Sequence, residues 1–181
     1  MNVKLENLLP ETDYEVRVCA YDSEQESPYT YATFSTYGNA SFIQRFCEAV
    51  AQVVEIITDQ PVGVELLANY DASCQNELQI TVCPLFNELQ RSGRGALKDR
   101  VGVCVVFQKR VPYQSLAECQ EALDALRACS LNLADCDVFC ERKYAVEEIN
   151  SPTLFDQQQL EESNVFSSVL EVTYTAIATY E

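Results

Sequence analysis

Apolar and polar residues alternate along residues 164–180, NVFSSVLEVTYTAIATY. Phe166, Ser168, Leu170, Val172, Tyr174 and Ala176 fall on one side of the alternation. Ser167, Glu171, Thr173 and Thr175 fall on the other, with Val169 and Ile177 as apolar exceptions. A period of two, rich in β-branched and aromatic types, predicts one long strand with a single buried face. About 13 such residues reach roughly 40 Å, long enough to form the spine of a small domain's sheet.

Other stretches carry their own periods. In residues 8–20 the series Leu8, Pro10, Thr12, Tyr14, Val16, Val18, Ala20 again repeats every second residue, and TYATFST follows after the polar, proline-containing SEQESP. Two strands joined by a loop are expected there. Tyr37, Gly38 and Asn39 read as a joint, dividing the chain into residues 1–38 and 39–181. After it Phe42, Ile43, Phe46, Cys47, Val50, Val53, Val54 and Ile57 recur at helical spacing, with Ser41 and Gln44 as a capping box and Asp59-Gln60-Pro61 as the stop. Residues 62–70 and 78–85 read as two strands around the polar turn DASCQNE. NELQRSGRGALKDR reads as a basic, glycine-containing loop, and residues 101–107, almost wholly apolar, as a central strand covered on both faces. Ser115 and Glu118 open a second helix striped by Leu116, Cys119, Ala122, Leu123 and Leu126. Residues 138–149 make a weak strand with charges mixed in, and a short helical turn around Leu160 precedes the long strand. The order predicts an α+β domain: two helices packed on a mostly antiparallel sheet.

Composition narrows the chemistry. With 181 residues, 48% of them hydrophobic, the chain can bury a real core. A formal charge of -16 argues against general nucleic-acid binding and against an anionic membrane surface. No apolar run reaches the ~18 residues of a membrane span, and the first residues lack a signal peptide's pattern. The nine cysteines are odd in number and irregularly spaced, several inside apolar runs such as VGVCVVF. They read as reduced, buried thiols, and Cys129, Cys136 and Cys140 lack the CxxC pairing of a zinc site. The absence of histidine removes Ser-His-Asp and Cys-His catalysis and every His-ligated metal. No acidic pair stands out, and neither GxGxxG nor a P-loop occurs, so no catalytic residue, cofactor or metal is expected and the chain reads as non-enzymatic.

The series Leu-x-Pro-x-Thr-x-Tyr-x-Val-x-Val-x-Ala with TYATFST resembles the last strands of a fibronectin type III module. The resemblance implies an all-β hairpin within residues 1–38, with Tyr14 making the corner contact to the backbone. It covers only part of such a module, whose core tryptophan has no counterpart here. Residues 39–181 resemble tail-completion and tail-terminator proteins of long-tailed bacteriophages. The resemblance is carried by Leu154, Phe155, Asp156 and Leu160 followed by VFSSVL and Tyr174, and by the order helix, strand pair, basic loop, strand VGVCVVFQKR, amphipathic helix. It implies a virion structural protein assembled in the host cytoplasm. Copies would form a ring, commonly of six, on the head-proximal end of the tail tube, meeting tube and head connector proteins. The fibronectin-like front supports an alternative, an extracellular or cell-surface binding module.

Arg91, Arg94, Lys98 and Arg100 place four of the chain's 12 positive charges within one loop. Three readings are open for them: contact with an acidic face of a neighbouring copy or of the tube, contact with DNA in the ring lumen, or a solvated loop.

Overall fold

The computed structural model describes residues 13–18, 30–35, 41–71, 77–91 and 96–179. The chain divides into two compact units, Met1–Ser41 and Phe42–Glu181. In the first, β1 (Asp13–Val18) and β2 (Thr30–Ser35) pair antiparallel, Asp13 opposite Ser35 and Val18 opposite Thr30. This is the hairpin expected from the alternation. The corner contact of Tyr14 falls on a side chain outside the described residues.

The second unit is α+β. Its elements are α1 (Phe42–Thr58), β3 (Val62–Val64), β4 (Gln79–Arg91), β5 (Ala96–Arg110), α2 (Leu116–Asn132), β6 (Val138–Cys140), β7 (Arg142–Asn150), α3 (Gln157–Ser163) and β8 (Val165–Thr179). Six strands form one sheet in the order β3-β4-β5-β8-β7-β6. Only the β3–β4 pair is parallel. The last strand in sequence therefore lies at the centre, between β5 and β7.

The helices end where backbone chemistry requires. Ser115 caps α2 by accepting from Glu118 N at 3.3 Å, and Asp156 caps α3 through Gln159 N at 3.0 Å. Helix α1 closes on Asp59, at φ 53°, just before Pro61.

One face of β8 is fully buried: Phe166, Ser168, Leu170, Val172, Tyr174 and Ala176 are at most 5% exposed. Ile177 on the other face is 68% exposed. The buried row meets Val101, Val103, Val105 and Phe107 of β5 in register, and Phe46, Val50 and Val54 of α1 complete the core. Phe46 sets its ring edge-on to Tyr144 at 5.0 Å and to Tyr174 at 5.4 Å. Helix α1 lies against both outer strands, β3 and β6. Six flat strands would span about 24 Å, twice a helix diameter. The sheet is therefore curled around α1. Two bulges sharpen the curl, at Leu85 between the partners of Val103 and Gly102, and at Glu147 between those of Tyr174 and Thr173.

Several sequence expectations need correction. The basic loop of residues 87–100 is mostly strand: β4 runs through Arg91 and β5 starts at Ala96, and only residues 92–95 between them lie outside the described set. Polar side chains there, Asp99 excepted, occupy a solvated face, where strand and loop have the same composition. The strand expected over residues 62–70 is only three residues long. Leu66 and Leu67, read as strand because they are apolar, are 81% and 75% exposed. Residues 138–149 form two strands, because Glu141 adopts φ 61° and turns the chain between β6 and β7.

Candidate functional site

The outer face of the sheet, opposite α1, carries the most organised polar chemistry. Register puts Glu88 of β4 beside Arg100 of β5, and their side chains pair at 3.1 Å. Arg100 Nε donates to Glu147 Oε2 at 2.9 Å, and Lys98 Nζ donates to the other carboxylate oxygen of Glu147. Glu147 reaches these partners from β7, across Thr175 of β8, two residues on from Ala145 on the same outer face. The lattice Glu88–Arg100–Glu147–Lys98 thus ties three strands over a fourth. Hydrogen bonds from Lys98 and then Arg100 hold the Glu147 carboxyl below its ordinary range. The bond to Glu147 raises the Arg100 guanidinium in turn.

Phe86 lies beside this lattice. Its ring covers Gly102, where a Cβ would stand 2.3 Å from the ring edge. The Arg100 guanidinium sits 5.6 Å from the ring centroid. Leu85, Phe86, Glu88, Arg100, Glu148 and Asn150 line a shallow hollow of about 240 Å³ on this face.

A second polar group is buried on the core side. Tyr144 Oη donates to Asp99 Oδ2 at 2.6 Å, and Arg142 stands 4.0 Å from the same oxygen. Asp99 is 5% exposed, and its Oδ1 has no partner among the described residues. Burial, then the bond to Asp99, raises the Tyr144 phenol above its ordinary value of 10.0. A larger open groove of about 950 Å³ runs between the end of α1, residues 109–113 and α2. Its polar groups pair locally, Lys109 with Glu121 and Tyr113 N with Glu118 at 3.0 Å.

Of the four basic residues singled out in the sequence, Lys98 and Arg100 are brought together and bound to Glu147 within the chain. Arg91 stands exposed at the end of β4, and Arg94 lies outside the described residues. The acidic half of the lattice, Glu88 and Glu147, was not legible among 28 acidic residues. The only available signal was Gly102 inside an apolar strand, a mark of close approach by another group. The seven described cysteines are free. Burial pushes Cys47 and Cys104 up to about 11 and Cys129 up to about 12. Thiols so shifted are poor nucleophiles and poor ligands at neutral pH. Among the described residues no group of three or more Cys, Asp or Glu is placed to hold a metal ion. No described helix is long and apolar enough to cross a membrane. No family model matches the chain, and no curated protein matches it.

Proposed function

We propose that the second unit is a bacteriophage virion structural protein of the tail-completion kind. Copies form a ring on the head-proximal end of the tail tube, stop its growth and offer a surface to the head connector. The observation that supports this reading is the arm made by β4, β5 and β8. β3 pairs only with Ile80–Val82 and β7 reaches only to Thr175, so toward Arg91 and Ala96 the sheet narrows to three strands. Open strand edges are what a subunit uses to join copies or a tubular neighbour by strand addition. The ion-pair lattice keeps the base of that arm stiff. Exposed Arg91, with Arg94, is then the part of the basic cluster that meets an acidic neighbour.

The test mixes purified chain with tail tubes that lack a cap and images them by electron microscopy. The expected result is a ring of copies at one end only, lost with Arg91→Glu plus Arg94→Glu in a protein that still folds. Tubes left bare by the unmodified chain refute the reading. The β1–β2 hairpin favours a second reading, an extracellular binding module of fibronectin type III kind. That reading requires oxidised cysteines in the native protein, and nine free thiols remove it.

A further inference from the structure

The free side of β4 carries an inference about self-association. We propose that β4 pairs antiparallel with β4 of a second copy of this chain, about a two-fold axis that sets Leu89 against Leu89. The contact is separate from the capping role above, since it joins copies with or without a tube.

Glu65 N donates to Val82 O at 3.2 Å, so Val82 turns its backbone groups toward β3 and away from β5. Backbone direction alternates along a strand, and the regular β5 ladder carries the alternation past the bulge at Leu85. Asn87, Leu89 and Arg91 therefore aim their N–H and C=O groups at the open side, while Phe86, Glu88 and Gln90 bond β5. Among the described residues no strand pairs with β4 on that side beyond Val82. Pro84 also faces outward but has no N–H to give, so a full ladder starts only beyond it.

Another unpaired stretch of the sheet is the outer side of β7 from Ala145 to Asn150. In the unshifted register a head-to-tail seam between β4 and β7 is blocked. Register places Ala145 level with Glu88, through Thr175 and Arg100. Immediately above Ala145, β6 covers β7 from Arg142 to Tyr144. An incoming β4 would drive Leu89, Gln90 and Arg91 into β6. A copy turned about a two-fold axis sets its Asn87–Arg91 along Asn87–Arg91 of the first, past the level of β3 at Ile80–Val82 and of Glu65 and Ala68 beside Val82 and Cys83.

The side chains then select the register. With Leu89 on the axis, Asn87 faces Arg91 and Glu88 faces Gln90, and no like charges meet. Centring on Glu88 sets two carboxylates face to face, and centring on Arg91 sets two guanidiniums face to face. Centring on Gln90 puts Leu89 against Arg91. Of these choices the first buries Leu89, now 66% exposed, against an apolar mate.

Sedimentation equilibrium of the full chain over a wide concentration series tests the proposal. The expected species is a dimer. Leu89→Lys, which sets two ammonium groups on the axis, returns it to monomer with an unchanged circular dichroism spectrum. Gln90→Lys, opposite Glu88, tightens the dimer about two- to tenfold, and Gln90→Glu loosens it by a similar factor. A chain that stays monomeric at every concentration overturns the proposal, as do Gln90 variants that both shift the constant the same way. A larger assembly whose mass Leu89→Lys leaves unchanged also overturns it, while leaving the ring reading intact.

Discussion

Gly102 offers a perturbation whose sign depends on a single neighbour. Gly102→Ala would place a Cβ 2.3 Å from Cε1, 2.5 Å from Cδ1 and 2.9 Å from Cζ of Phe86. Carbon atoms rest at about 3.5–4.0 Å, so the ring must lift off the sheet. Overpacking of this kind costs about 1–3 kcal/mol. The lifted ring also leaves the Arg100 guanidinium, a loss of about 0.5–1 kcal/mol. Against these stands the smaller backbone entropy of alanine in the unfolded chain, worth about 0.5–1 kcal/mol in a strand. The net expectation is a loss of about 1–3 kcal/mol, or roughly 2–12 °C in melting temperature for a chain of this size. With Phe86→Ala already in place the clash is gone and only the entropy gain remains. There Gly102→Ala should stabilise by about 0.5–1 kcal/mol. The assay is guanidinium unfolding of the four proteins in the cycle, followed by circular dichroism. If Gly102→Ala destabilises equally in both backgrounds, Phe86 is not what fills the space over Gly102, and the argument fails.

Three further outcomes follow from the core and its polar groups. Leu170→Asp puts an unpaired carboxylate at a site 1% exposed and should abolish soluble, folded protein, whereas wild-type expression and spectrum would show Leu170 to be on the surface. Tyr144→Phe removes the only side-chain hydrogen bond to the buried Asp99 carboxylate among the described residues and should cost about 1–3 kcal/mol in chemical unfolding at neutral pH. The folded phenol is raised, so its contribution is intact below about pH 10 and falls as pH rises further, because the unfolded chain ionises first. The variant should therefore show a flatter alkaline limb than the parent, and identical limbs would rule that contribution out. Finally, a thiol reagent at neutral pH should label Cys47, Cys104 and Cys129 slowly in the native protein and all nine cysteines in guanidinium. Rapid native labelling of Cys129, identified by peptide mass, would contradict its burial.

The parts of this fold that were legible in the sequence are those whose residues meet a single environment along a regular period. β8 alternates cleanly because one face meets α1 and the core while the other meets solvent. Helix α1 shows its stripe because Phe46, Val50 and Val54 all turn to the same sheet. The arm escaped notice because both faces near Arg91 and Ala96 are solvated, so its polar residues carry no period. Its basic side chains are balanced by Glu88 and Glu147, the second of them 47 residues away from Arg100 in the chain. The bulges at Leu85 and Glu147 leave no mark in composition, yet the second one brings Glu148 to the same face as Glu147. Glu141 at φ 61° is equally silent, since nothing in a glutamate announces a left-handed backbone.

The central place of β8 bears on how the chain comes to be folded. β5 ends at Arg110 and its partner does not begin until Val165, so the widest ladder of the sheet closes a long stretch of chain. Until residues 165–179 have been synthesised, the apolar flank of β5 has a neighbour on one side only, and β7 has only the three-residue β6 to join. Such non-local pairing slows folding and leaves a sticky, half-finished sheet exposed during translation. Synthesis of this protein should therefore depend on chaperones that shield nascent chains far more than its modest size suggests.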